Sequence, residues 1–173
     1  NRLPTTLMIA LARSATDGEV AAAAAYFSAL PPRRSIRVME TTTVPKTYVA
    51  GWFLAAEPGG AREPTGARII EVPEDLDRFE SRDSRAGFLA YAPIGSIRRG
   101  LTLAATGGAD RGEQRTVPCA TCHGPGLKGL GPVPGIAGRS PSYVVRQLYD
   151  FQQGARAGVG AILMRPTVEK LTL

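Results

Sequence analysis

A mainly α chain with a short-stranded, loop-rich middle is the fold class that the sequence predicts, and three observations predict it. Two segments carry complete helix-start signals, Thr16-Asp17-Gly18-Glu19 and Ser140-Pro141. Each opens a stretch of helical composition or period. Between them lie short runs of strand formers punctuated by glycine and proline, of which the 173 residues hold 20 and 14.

The first signal is a capping box, and it opens an Ala-rich helix that ends near Tyr26-Phe27-Ser28-Ala29-Leu30, before Pro31-Pro32. Residues 33–94 follow as a linker. Thr47 to Leu54 and Arg68 to Val72 read as short strands, Pro73 to Phe79 as a short helix and Phe88 to Tyr91 as a third strand, with turns at Gly59-Gly60 and Pro64-Thr65-Gly66. Trp52 and Phe53 read as the core of a small β element. Farther on, Ser140 is a good N-cap and Pro141 a good first helical residue, so a helix should run through Val144, Val145, Leu148 and Phe151 until Gly154 closes it. The spacing of Val144, Leu148 and Phe151 gives that helix one stripe to bury.

Length and composition bound the rest. A chain of 173 residues, 43% hydrophobic, holds one full domain plus further material. No apolar run approaches a membrane span. Asn1 is followed by no basic-then-apolar leader, so a secretory signal is expected to be removed or to lie outside this sequence.

Cys119-Ala120-Thr121-Cys122-His123 holds both cysteines and the one histidine of the chain. C-x-x-C-H is the attachment sequence of a c-type haem: two thiols add to the porphyrin vinyl groups, and the imidazole one residue on reaches the iron. Zinc would want a second Cys or His pair, which the chain lacks. A thioredoxin-like pair would sit at a strand-to-helix junction, whereas Thr116-Val117-Pro118 precedes this one and Gly124-Pro125-Gly126 follows it. A disulfide across three residues closes too small a loop to stabilise much. For Trp52 and Phe53, shielding of a haem edge is the alternative to a place in the core of a small β element.

Charge is unevenly placed. Residues 1–94 carry 11 basic and 11 acidic side chains; residues 95–165 carry 9 basic, Arg98, Arg99, Arg111, Arg115, Lys128, Arg139, Arg146, Arg156 and Arg165, against Asp110, Glu113 and Asp150. The net charge of +6 therefore belongs to the module around the C-x-x-C-H sequence. Haem propionates would offset part of it, and the rest could steer an acidic redox partner. The arginines form no nucleic-acid-binding motif, so no nucleic acid is expected as a partner.

These residues resemble class I c-type cytochromes, in which the haem sequence is followed by a Pro-x-Leu-x-Gly turn, a Tyr…Gln-Leu…Phe…Gly helix and a methionine. Here the turn is Pro134-Gly135-Ile136-Ala137-Gly138, with Ile for the usual Leu, and the helix holds Tyr143, Gln147, Leu148, Phe151 and Gly154. The resemblance implies a class I cytochrome c-like haem domain with one haem c. Cys119 and Cys122 would be its attachment points, and His123 and Met164 its axial metal ligands. The Pro134 carbonyl would accept the second imidazole N–H, and Arg139 and Tyr143 would lie near the propionates. Met8 and Met39 lie on the wrong side of the haem sequence for the sixth position.

Met8 to Asp17 aligns without gaps on Met164 to Leu173, and the capped helix after Met8 is what the resembled family places after its axial methionine. The expected organisation is a fragment of a bacterial dihaem cytochrome: residues 1–32 the tail of a preceding haem domain, 33–94 a linker, and 95–173 a cytochrome c domain lacking its last helix. A second haem would belong to the full-length protein. The competing organisation is a complete monohaem protein with an unrelated N-terminal helix. The implied function is periplasmic or extracytoplasmic, membrane-associated electron transfer, with no substrate turnover of its own. Its partners would be redox proteins, with a membrane-bound dehydrogenase or oxidase among the candidates. The alternatives are a cytochrome subunit of a dehydrogenase complex, a haem enzyme or gas sensor, and a zinc-binding structural module.

Overall fold

The computed structural model describes residues 6–31, 33–108 and 116–172. Asp110, Arg111, Glu113 and Arg115 of the charge count, with Pro32 and Leu173, lie outside the described residues. The chain divides into two compact units, the first ending at Arg33 and the second running from Arg34.

The first unit holds α1 (Thr6–Ser14) and α2 (Asp17–Ala29), neither with a buried residue. The capping box forms as its residues dictate: the Thr16 hydroxyl accepts the Glu19 N–H at 3.3 Å, and the Thr16 N–H donates to the Glu19 carboxylate at 2.8 Å. The Thr16 N–H and, to a lesser extent, the Thr16 hydroxyl, which donates to the same carboxylate at 2.9 Å, hold the Glu19 carboxyl below its ordinary pKa. Met8 sits on α1 and is largely exposed.

The second unit begins with a strand body. β1 (Ile36–Glu40), β6 (Ile70–Pro73) and β7 (Phe88–Ala92) form one sheet in the order β1-β7-β6, with β1 parallel and β6 antiparallel to the central strand. β2 (Thr43–Pro45) pairs with β5 (Arg62–Pro64), and β3 (Thr47–Ala50) with β4 (Phe53–Ala56), both antiparallel. Val44, Ile70, Val72 and Tyr91 make the buried core, with Leu54 and Leu89 against it. α3 (Leu76–Glu80) is capped by Asp75, which accepts the Arg78 N–H at 3.0 Å.

Of the described residues, 42% are helical and 19% are in strands, so the helical description fits only the two ends of the chain. Residues 47–54, expected as one strand, are a hairpin. Gly51, at φ 64°, supplies the left-handed backbone that a two-residue turn needs. Trp52 occupies the second turn position and is 84% exposed, so it is not core. Phe53 does pack, with ring centroids 4.7 Å from Phe79, which in turn lies 5.0 Å from Phe88.

The helical module follows: α4 (Ser96–Thr106), α5 (Cys119–His123), α6 (Pro141–Gln152) and α7 (Arg165–Val168), with 3-10 turns at Pro125–Leu127 and Val159–Leu163. α6 starts and ends as the sequence predicts. Ser140 accepts the Tyr143 N–H at 3.0 Å, and Gly154, at φ 71°, lies just past the last turn.

Two carboxylates join the strand body to this module. Neither α4 nor α6 has an acidic residue in its first turn. Strand alternation turns Glu71 away from the buried Ile70 and Val72, and its carboxylate accepts the Ser140 hydroxyl at 2.7 Å and the Ser142 N–H at 2.8 Å. Glu40, at the end of β1, accepts the Ile97 N–H at 2.6 Å. Each therefore places negative charge at the positive end of a helix dipole. The segment expected as a linker is thus packed into the same unit as the module that follows it.

Candidate functional site

Cys119 and Cys122 lie three residues apart on α5, which puts both thiols on one helical face. Both are free; Cys119 is half-buried and Cys122 exposed. Burial pushes the Cys119 thiol above its ordinary pKa, helped by the neighbouring Cys122 and opposed by its own backbone N–H.

His123, 8% exposed, ends the same helix. Its Nδ1 lies 2.7 Å from the Pro134 carbonyl oxygen. A carbonyl can only accept, so Nδ1 carries a proton, and in the neutral ring the lone pair is on Nε2. The bond depends on tight folding of the loop between them. A Cβ on Gly135 would come within 2.6 Å of the Lys128 carbonyl oxygen, and one on Gly129, at φ 102°, within 2.9 Å of the Gly135 nitrogen. The Gly129 N–H donates to the His123 carbonyl at 2.8 Å, and those of Ile136 and Ala137 both donate to that of Leu127.

On α6, Val144, Leu148 and Phe151 are half-buried, and the one buried side chain is Gln147. The expected apolar stripe is thus only partly covered by protein atoms. Gln147 accepts from Arg156 at 2.6 Å, and the Arg156 guanidinium also lies 4.6 Å from the centre of the Phe151 ring. Arg139 and Tyr143 flank the start of α6. Tyr143 is 41% exposed, with the Arg146 guanidinium 5.9 Å from its ring centre. Met164 is half-buried, between the Val159–Leu163 turn and α7.

Sequence reasoning singled out Cys119 to His123 and Pro134 and predicted the capped helix, but it did not predict that residues 119–123 are helical, and it missed Glu71, Thr116 and Gln152. Thr116, 8% exposed, donates its hydroxyl to the Thr167 carbonyl, and Gln152 donates to those of Val168 and Leu171. None of the three has a local sequence signal, because each bonds a partner well away along the chain.

No protein-family model matches the chain, and no solved structure matches it. Curated proteins do. Cytochrome c4 of Stutzerimonas stutzeri is 30% identical over 125 residues, 65% of this chain and 58% of that protein, so the chain spans little more than half the length of that relative. Cytochrome c-554(548) of Halomonas halodenitrificans is 34% identical over 67 residues, which make up 81% of it. The chain belongs to the c-type cytochromes. The cytochrome subunit of sulfide dehydrogenase from Chlorobaculum tepidum, 36% identical over 78 residues and 70% of its own length, lies in the same group.

The residues of this cytochrome fit a covalently held haem c. Two free thiols share a helical face, and the adjoining imidazole has one nitrogen fixed by a carbonyl and the other free to donate. Among the described residues no three His, Cys, Asp or Glu side chains converge as a metal site. No described helix is long and apolar enough to cross a membrane.

Proposed function

We propose that this cytochrome passes single electrons through a haem c attached at Cys119 and Cys122, with His123 and Met164 as axial ligands. The observation that carries the reading is the His123–Pro134 hydrogen bond. It fixes the imidazole tautomer, orients the ring and makes Nε2 a stronger donor. When bound, the haem supplies the one-electron Fe(II)/Fe(III) couple, and the chain positions and tunes it.

Each group then has a stated task. The two thiols would anchor the macrocycle, and His123 would hold its iron through Nε2. The Met164 thioether favours ferrous iron and raises the potential, which suits a carrier with no substrate turnover of its own. Arg139 and Tyr143 bind propionates. The positive balance of residues 95–165 draws in redox partner proteins with acidic surfaces. Haem c attachment outside the bacterial cytoplasm supports a periplasmic or extracytoplasmic location. In this reading residues 1–32 are the tail of a preceding cytochrome c domain, and the full-length protein carries a second haem. The alignment with cytochrome c4 over 125 residues supports it, being longer than one haem module.

Met164→Ala tests the ligand set. Loss of the weak near-infrared charge-transfer band of thioether-ligated ferric haem, with a lower potential, is the expected result. An unchanged band assigns the sixth ligand elsewhere.

A second reading, a cytochrome subunit of a dehydrogenase complex, is favoured by the relative so named, of which the match covers 70%. Co-purification of a catalytic subunit with the tagged full-length protein would select it.

A further inference from the structure

Met164 stands at the junction of two short elements that cannot hold themselves. The 3-10 turn before it has five residues and α7 after it has four, well below the length at which a helix persists alone. The Met164 carbonyl accepts the N–H groups of Thr167 and Val168, both at 3.1 Å, so the position of Met164 follows that of α7.

Side chains from two other elements fix α7. The Gln152 amide donates to the Val168 carbonyl at 3.0 Å and the Leu171 carbonyl at 2.8 Å. The Val168 carbonyl ends α7 and also accepts the Leu171 N–H at 3.1 Å, so the amide clamps the turn that follows the helix. Gln152 is the last residue of α6, so the bonds tie the methionine turn to that helix. Thr116 donates to the Thr167 carbonyl. It lies three residues before Cys119, so this bond ties the same turn to the attachment segment. Val168, 1% exposed, is packed between these ties.

We infer that Gln152 and Thr116 are positioning residues for the sixth ligand, setting how readily the Met164 thioether yields to a competing ligand. The inference rests on the Met164 ligation proposed above. A thioether is a weak donor, and an exogenous base displaces it only if the turn swings away. With both ties in place, that motion must break three hydrogen bonds to carbonyls.

The test is an imidazole titration of the ferric holoprotein of this 173-residue chain, whose one C-x-x-C-H sequence holds one haem, followed by loss of the near-infrared band. Gln152→Leu and Thr116→Val should each lower the imidazole midpoint, Gln152→Leu by about tenfold because it removes two bonds. Thr116→Ser, which keeps the hydroxyl, should restore the wild-type midpoint. Thr102→Val should leave it unchanged, since that hydroxyl bonds only the Arg98 carbonyl of its own helix. If Gln152→Leu yields no folded holoprotein, the Thr116 pair carries the same test. Wild-type midpoints in both tie variants, in a protein that shows the band, overturn the inference alone. Absence of the band from the unmodified protein overturns the Met164 ligation and this inference with it.

Discussion

Between Ile36 and Ala92 the chain buries its own apolar side chains, Val44, Ile70, Val72, Ala90 and Tyr91 among them. Between Ser96 and Thr172 the buried side chains among the described residues are Thr116, His123 and Gln147, with Val168 the one apolar member. The strand body is held by hydrophobic burial. The helical module is held by hydrogen bonds: Thr116 to Thr167, His123 to Pro134, and Arg156 to Gln147. Its larger apolar side chains remain partly exposed to solvent, as at Tyr143, Ile162 and Leu163. The difference teaches that one half of the unit has a core of its own, while the other is a polar frame shaped to take its core from a prosthetic group.

The most severe way to break this comparison is to deny the module its haem. In Cys119→Ala/Cys122→Ala, covalent haem should be lost. Amides of α4, α6 and α7 should then exchange with solvent far faster, while β1, β6 and β7 keep most of their protection. Equal loss across both regions in hydrogen exchange would refute the division. Next in size, Ile70→Ala should cost about 2–4 kcal/mol in denaturant unfolding, because Ile70 is 8% exposed within the core cluster. The haem spectrum of the folded protein should not change.

Cutting the bridge between the halves sharpens the comparison. Glu71→Gln removes the negative charge at the α6 N-terminus and should cost about 1–2 kcal/mol. Ser140→Ala should cost about 1 kcal/mol. If Glu71→Gln left stability unchanged, the carboxylate would be a contact without consequence.

The smallest effect concerns the strand body alone. The Arg85 backbone N–H holds the Asp83 carboxyl below its usual value; burial opposes it, and the charges of Arg85 and Arg78 reinforce it. A carboxyl whose pKa is depressed by folding contributes stability above its unfolded value, about pH 4, and loses it as pH falls through the folded value. Asp83→Asn should therefore lower the melting temperature slightly at neutral pH and flatten its decline on the acid side. An identical slope in both proteins would place the acid sensitivity elsewhere.

How much of this was legible depended on range along the chain. Thr16, Ser140-Pro141 and Gly154 act within one helical turn, and their helices start and stop where those residues say. Cys119, Cys122 and His123 carry their chemistry in five residues. The parallel pairing of β1 with β7 has no local signal, because a parallel pair joins strands distant in sequence. For the same reason Ile36–Glu40 was not read as a strand. Gly51 could have revealed the hairpin, since it interrupts the run 47–54 where a left-handed residue is required. Glu71 and Gln152 look like ordinary polar residues until the fold brings Ser140 and Leu171 to them.

The Glu71 carboxylate and the Ser140 hydroxyl are 69 positions apart in the chain. That separation imposes an order on folding. The turn around the attachment cysteines closes through bonds a few residues long, such as Gly124 to Ala120, and such contacts form quickly. The parallel pair and the carboxylate that crosses to α6 must wait for long loops to close, at a large entropic cost before any contact is made. Contact range thus predicts that the segment around the thiols closes before the strand body sets its register, which pulse-labelled hydrogen exchange during refolding would check. The Ser140 cap on Tyr143 is local, whereas the Glu71 carboxylate that reinforces it belongs to the long-range set.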